Sequence, residues 1–177
     1  MAKSLYELPA GPNIPEVVNV IIEVPRNTSN KYEYDKELGV IKLDRVLFAS
    51  MSYPGDYGFI PSTLGGDGDP LDVVLLSTHP FEIGVLVEAR VVGMLVMSDD
   101  KGEDEKILAV AAHDPRWNDR KELEDIQAHR LAEIEHFFME YKTLEGKEVQ
   151  TKGWRNRKAA MTEVLESIER AKAAKKS

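Results

Sequence analysis

The sequence predicts an α+β fold that is mainly β: a small closed barrel of about five strands, with two α-helices of the C-terminal half packed on it. Three observations lead there. Apolar runs at hairpin spacing fill the first two-thirds of the 177 residues. From about Ile126 the apolar period becomes helical. At 42% hydrophobic residues with no cysteine, the chain can build a core, and it does so without disulfides or thiolate metal sites. The length fits one domain over 1–177, with an N-terminal arm at 1–15 and a frayed tail at 172–177.

The arm carries Pro9, Pro12 and Pro15 and allows one helical turn. Val17 to Val24 is rich in β-branched residues and reads as a strand, with Glu23 near its end. Lys31 to Asp35 alternates, placing Lys31, Glu33 and Asp35 on one face and Tyr32 and Tyr34 on the other. A turn through Gly39 leads into a return strand, Val40 to Phe48, which carries Arg45. Residues 53–61, aromatic and glycine-rich, read as a connection. Val73-Val74-Leu75-Leu76 reads as a buried strand, although periodicity alone leaves a helix open. Val85 to Met97 is a long apolar strand, Ser98 to Lys106 a charged reversal, and Ile107 to Ala112 the strand coming back. Leu131, Ile134, Phe138 and Tyr141 then mark a first helix that stops near Gly146. Trp154 to about Ala173 predicts a second, with Trp154, Met161, Leu165 and Ile168 inward. Its lysine-rich end suits a helix C-terminus and requires no binding role.

A formal net charge of −8 argues against nucleic acid or an anionic membrane as the main partner. No apolar run is long enough to span a membrane, and the N-terminus lacks a signal-peptide core, so a cytoplasmic location is expected. His79, His113, His129 and His136 show no metalloprotease spacing. No nucleophile elbow, Walker loop or dinucleotide fingerprint occurs.

The chemistry concentrates in Asp67-Gly68-Asp69-Pro70-Leu71-Asp72-Val73, where a loop enters a strand. Asp, Gly and Pro are ordinary residues of a solvated turn, and that reading suffices for an isolated stretch. A calcium-binding EF-hand is excluded, since its sixth and twelfth positions would be Asp72 and Thr78 rather than Gly and Glu. Three like charges so close are costly unless a cation neutralises them, and hard oxygen ligands suit Mg²⁺, Mn²⁺ or Ca²⁺. Further charge lies at Asp99, Asp104 and Lys106, at Glu23, Lys31, Glu33 and Arg45, and at Tyr141-Lys142.

These residues resemble the soluble inorganic pyrophosphatases of the first family. Every position of 67–73 satisfies that family's defining motif. Glu23-Val24-Pro25, Lys31-Tyr32-Glu33, Asp44-Arg45, Tyr53 to Gly58, Asp99 to Lys106, and His136-Phe137-Phe138 with Tyr141-Lys142 resemble family segments in the family's order. The likeness covers roughly 16–170 and looks like the compact prokaryotic type. It implies an OB-like five-stranded barrel, hydrolysis of pyrophosphate with several Mg²⁺ ions (Mn²⁺ or another divalent ion serving in their place), and a homo-oligomer, typically a homohexamer. By resemblance, Asp67, Asp72 and Asp104 hold a first metal and Asp72 bridges to a second. Asp99 and Asp104 bind an ion arriving with substrate, and Glu23 and Glu33 act on metals through waters. Asp69 is the general base. Lys31, Arg45, Tyr53, Tyr57, Lys106, Tyr141 and Lys142 hold the phosphates.

The charges are consistent with this. Seven carboxylates against four cations leave the implied site near −3, which repels pyrophosphate; roughly three divalent ions bring it to about +3, which attracts it. Two other classes remain. An oligonucleotide-binding barrel requires a basic groove with exposed aromatics, against the net charge. A non-catalytic acidic metal-binding module explains the aspartates but not the cations beside them.

Overall fold

The structure is a computed structural model that describes residues 4–99 and 101–176. Met1–Lys3 of the predicted arm, Asp100 of the predicted reversal and Ser177 of the predicted tail lie outside the described residues. The strands are β1 (Val17–Val24), β2 (Asn30–Asp35), β3 (Val40–Val46), β4 (Asp56–Phe59), β5 (Asp72–Leu76), β6 (Leu86–Asp99), β7 (Gly102–Ala111) and β8 (Gln150–Asn156). The helices are α1 (Ala128–Glu140) and α2 (Arg157–Lys176).

Five strands close a ring in the order β1-β4-β5-β7-β6, with β6 pairing back onto β1 and β8 added outside β6. All pairs in the ring are antiparallel except β5 with β7. Alternate residues of β5 enter different apolar clusters, Val73 and Leu75 on one side and Val74 and Leu76 on the other. That alternation fixes the segment as a strand buried on both faces. The cluster holding Val74, Leu76, Leu108 and Val110 includes Ile134, Phe137 and Phe138 of α1. The other includes Ala160 and Val164 of α2.

Three expectations are corrected. The segment 53–61 is not only a connection: it contains β4, a ring strand. Gly58 allows this, because a Cβ there would stand 1.9 Å from the Ile21 carbonyl oxygen of β1. Trp154 lies on β8 rather than in a helix, and α2 begins at Arg157. Leu165 faces solvent at 46% exposure, while Ala160, Val164 and Ser167 form the buried stripe. The β2–β3 hairpin forms its own two-stranded sheet beside the ring.

The arm makes one 3₁₀ turn, Leu5–Glu7. Its Tyr6 ring packs edge-on against Tyr34 of β2 and Phe59 of β4, each at 5.0 Å between ring centres. Among the described residues no helix is long and apolar enough to cross a membrane.

Candidate active site

Parallel pairing of β5 with β7 sets Asp72 beside Lys106. Asp104 shares the Lys106 face two residues back on β7, and Tyr57 comes from β4. These side chains form the polar end of the face whose apolar part packs under α1. The Lys106 ammonium lies 2.6 Å from Asp72 Oδ2 and 2.8 Å from Asp104 Oδ2, and donates to Tyr57 Oη at 2.8 Å. Lys106 is only 3% exposed. Burial pushes its pKa down, but Asp72, Tyr57 and Asp104 outweigh this and hold it well above the ordinary lysine value. Burial raises Asp104 against the pull of Lys106, and raises Tyr57 with help from Asp72.

The loop before β5 supplies two more carboxylates. Gly68 adopts φ +91°, a conformation that favours glycine. The Asp69 backbone N–H then donates to Asp67 Oδ1 at 3.1 Å. Burial raises both acids; Asp72 adds to each, and Glu33 opposes ionisation of Asp69, whereas Lys101 and Lys31 favour it.

On β1 the register shifts between Ile22 and Val24, which makes Glu23 the bulged residue. Its carboxylate is buried and accepts the Tyr34 N–H at 2.8 Å. Burial lifts its pKa to about 8. Lys31 on β2 is paired with Glu33 and lies 3.3 Å from Asp44. Asp44 also accepts from Arg45 Nη1. Burial pushes Asp44 up, yet Lys31 and Arg45 bring it below the usual carboxylate value.

Tyr141 caps α1 and stacks on Phe137 at 5.1 Å; burial pushes its hydroxyl up to about 12. Lys142 Nζ stands 3.7 Å from Asp99 Oδ2. Burial and Lys106 lower the Lys142 pKa.

One cleft of about 770 Å³ is lined by Glu23, Lys31, Glu33, Tyr57, Asp67, Asp69, Asp72, Asp99, Asp104, Lys106, Tyr141 and Lys142. Two expected residues do not line it. Tyr53 is buried in the aromatic layer beneath, 5.4 Å from Tyr57 and 4.7 Å from Phe137 between ring centres. Arg45 stands outside the lining, held by Asp44 and Glu145. The four histidines are exposed and away from the cleft.

Several participants carry little or no signal in the sequence patterns. Tyr6 of the arm and Lys175 near the end of α2 line the cleft, as does Lys101 at the β6–β7 turn. Asp44 and Glu145 hold cations implied for phosphate. The dipeptide Asp44-Arg45 was the one available signal; Glu145 gave none.

The donor set is carboxylate oxygen throughout, which fits hard divalent ions such as Mg²⁺ or Mn²⁺. Among the described residues, no group of three or more His, Asp or Glu side chains already stands in ligating geometry. The Lys106 ammonium stands between Asp72 and Asp104.

Comparison with known proteins gives the same direction. A protein-family model described as inorganic pyrophosphatase matches residues 20–172. An inorganic pyrophosphatase of Thermus thermophilus is 55% identical over 172 residues, 96% of this chain and 98% of its own. One from Methanosarcina acetivorans is 51% identical over 155 residues, 88% of this chain and 92% of its own. A crystal structure of the Thermus thermophilus enzyme superposes with a TM-score of 0.94 at 54% identity, covering 96% of this chain and 99% of that one.

Proposed function

Since the chain belongs to the inorganic pyrophosphatase family, we propose that it hydrolyses pyrophosphate to two phosphates by direct in-line attack of water. The whole of 1–177 acts as one domain. The observation that carries this reading is the composition of one cleft: Asp67, Asp69, Asp72 and Asp104 line it together with Lys31, Lys106 and Lys142. A metal store needs only the first group, and a nucleic-acid groove only the second.

Asp67, Asp72 and Asp104 would hold a first divalent ion, with Asp72 shared by a second. Asp99 and Asp104 would hold one that enters with substrate, and Glu23 and Glu33 would act through waters. Mg²⁺ is the expected ion, with Mn²⁺ as substitute. Bound there, such ions supply acidification of a ligated water and neutralise phosphoryl oxygens. Asp69 takes the proton of the attacking water. Lys31, Arg45, Lys106 and Lys142 place positive charge on the phosphoryl oxygens and on the leaving phosphate. Tyr57 and Tyr141, both held neutral by burial, donate hydrogen bonds to them. Tyr53 backs Tyr57 from the aromatic layer, without itself reaching the cleft.

The enzyme works in the cytoplasm as a homo-oligomer, a homohexamer by likeness to the compact type. Exposed apolar side chains of β3 and just beyond it, Val40, Leu43, Val46 and Phe48, support contact between copies. Sedimentation velocity reads the assembly directly.

The functional test is phosphate release from pyrophosphate, tripolyphosphate, ATP and a single-stranded oligonucleotide, each with Mg²⁺ or Mn²⁺. Release from pyrophosphate above all others is expected. Oligonucleotide binding without release would favour the barrel's other use.

A further inference from the structure

Arg45 has the donors to hold a phosphate but, by itself, no fixed direction. Its guanidinium is pinned on one side, where Nη1 donates to Asp44 Oδ2. On another, Nε stands 3.0 Å from Glu145 Oε1, close enough for an ion pair but out of line for a hydrogen bond. Arg45 Nη2 and Glu145 Oε2 are buried and have no hydrogen-bond partner. The Glu145 side chain is 8% exposed, against 22% for Arg45. A guanidinium edge buried without an acceptor is costly, so the contacts at Nη1 and Nε are what hold the side chain in place.

Glu145 lies in the 3₁₀ turn Thr143–Glu145, directly after Tyr141 and Lys142. Gly146 closes that turn in the left-handed region at φ +73°. The Arg45–Glu145 pair therefore ties β3 to the segment that carries two cleft residues. It crosses between chain positions that no local pattern connects.

We propose that Glu145 is a positioning residue for substrate: together with Asp44 it fixes the Arg45 guanidinium, at Nε and at Nη1, in the orientation from which Arg45 engages phosphate. This rests on the reading that Arg45 binds phosphate. Arginine carries a long, flexible stem, and a fixed fork loses less freedom for each hydrogen bond it forms. A glutamine at 145 keeps the shape but removes the charge that draws the guanidinium into place.

The test is a double-mutant cycle on the full-length protein with saturating Mg²⁺, reading KM for pyrophosphate against kcat, with melting temperature as a fold control. Glu145→Gln is expected to raise KM about five- to tenfold with kcat within about twofold. Arg45→Ala raises KM further, and adding Glu145→Gln to Arg45→Ala changes nothing more. Equal factors for Glu145→Gln in both backgrounds would overturn the proposal, as would an unmoved KM in either single variant. If Glu145→Gln does not fold, Glu145→Asp, which shortens the reach and keeps the charge, is read by the same cycle. An unmodified protein that fails to hydrolyse pyrophosphate contradicts the functional reading itself, a result distinct from a wild-type enzyme whose cycle is additive.

Discussion

The Lys106 ammonium lies 2.6 Å from Asp72 Oδ2, on adjacent parallel strands 34 residues apart in sequence. Almost fully buried, it is the cation on which the carboxylates depend before metal arrives. Replacing it by methionine strands Asp72 and Asp104 in a poorly solvated place. Lys106→Met should destabilise the metal-free protein by about 3 kcal/mol. Added Mg²⁺ should recover much of that loss, because divalent ions can neutralise the same oxygens. Calorimetry in chelator and in Mg²⁺ checks this; equal losses in the two buffers would count against it.

Glu23 gives a pH dependence with a definite sign. Its carboxyl titrates near pH 8 when folded, against an ordinary value of 4.5. Between those values the folded state binds the extra proton, so stability falls as pH rises through the window. In chelator, Glu23→Gln should melt higher than wild type at pH 8, by the order of 5 °C. The gain should shrink towards pH 4.5. A pH-independent gain would show that Glu23 is not the group responsible.

Asp69→Asn keeps the loop's shape and removes the proton acceptor. Turnover should fall by about 10²- to 10⁴-fold. Metal affinity, measured by titration calorimetry, should change little, because Asp67, Asp72 and Asp104 are the assigned ligands. Near-normal turnover would take Asp69 out of the base role.

Gly58 tests the fold rather than the chemistry. A methyl group there would sit 1.9 Å from the Ile21 carbonyl oxygen, so β4 could no longer lie against β1. Gly58→Ala should cost more than about 4 kcal/mol, or abolish folding. A wild-type melting curve for this variant would mean that β1 and β4 can part without consequence.

Much of this was legible in the sequence because the relevant patterns are local. The 67–73 loop, the apolar runs flanking it and the helical period of 131–141 each lie within a few residues of one another. β4 was harder to read, because the glycine that lets it approach β1 is also a loop signal. β8 was obscured by a different competition: Trp154 continues the period of the following helix, while pairing with β6 decides its state. Hydrophobicity points Leu165 inward, but small residues line the stripe that α2 presents to the sheet. Non-local contacts lie outside any window. Lys106 with Asp72, and Arg45 with Glu145, meet only after the ring has closed and α1 has docked.

On this reading the cleft accepts its anion only once metal has reversed its charge. The most direct measurement is titration calorimetry of a non-hydrolysable diphosphonate into the protein, with Mg²⁺ and with chelator. Binding in Mg²⁺ and none detectable in chelator is the predicted result. Equal affinity in the two buffers would contradict it.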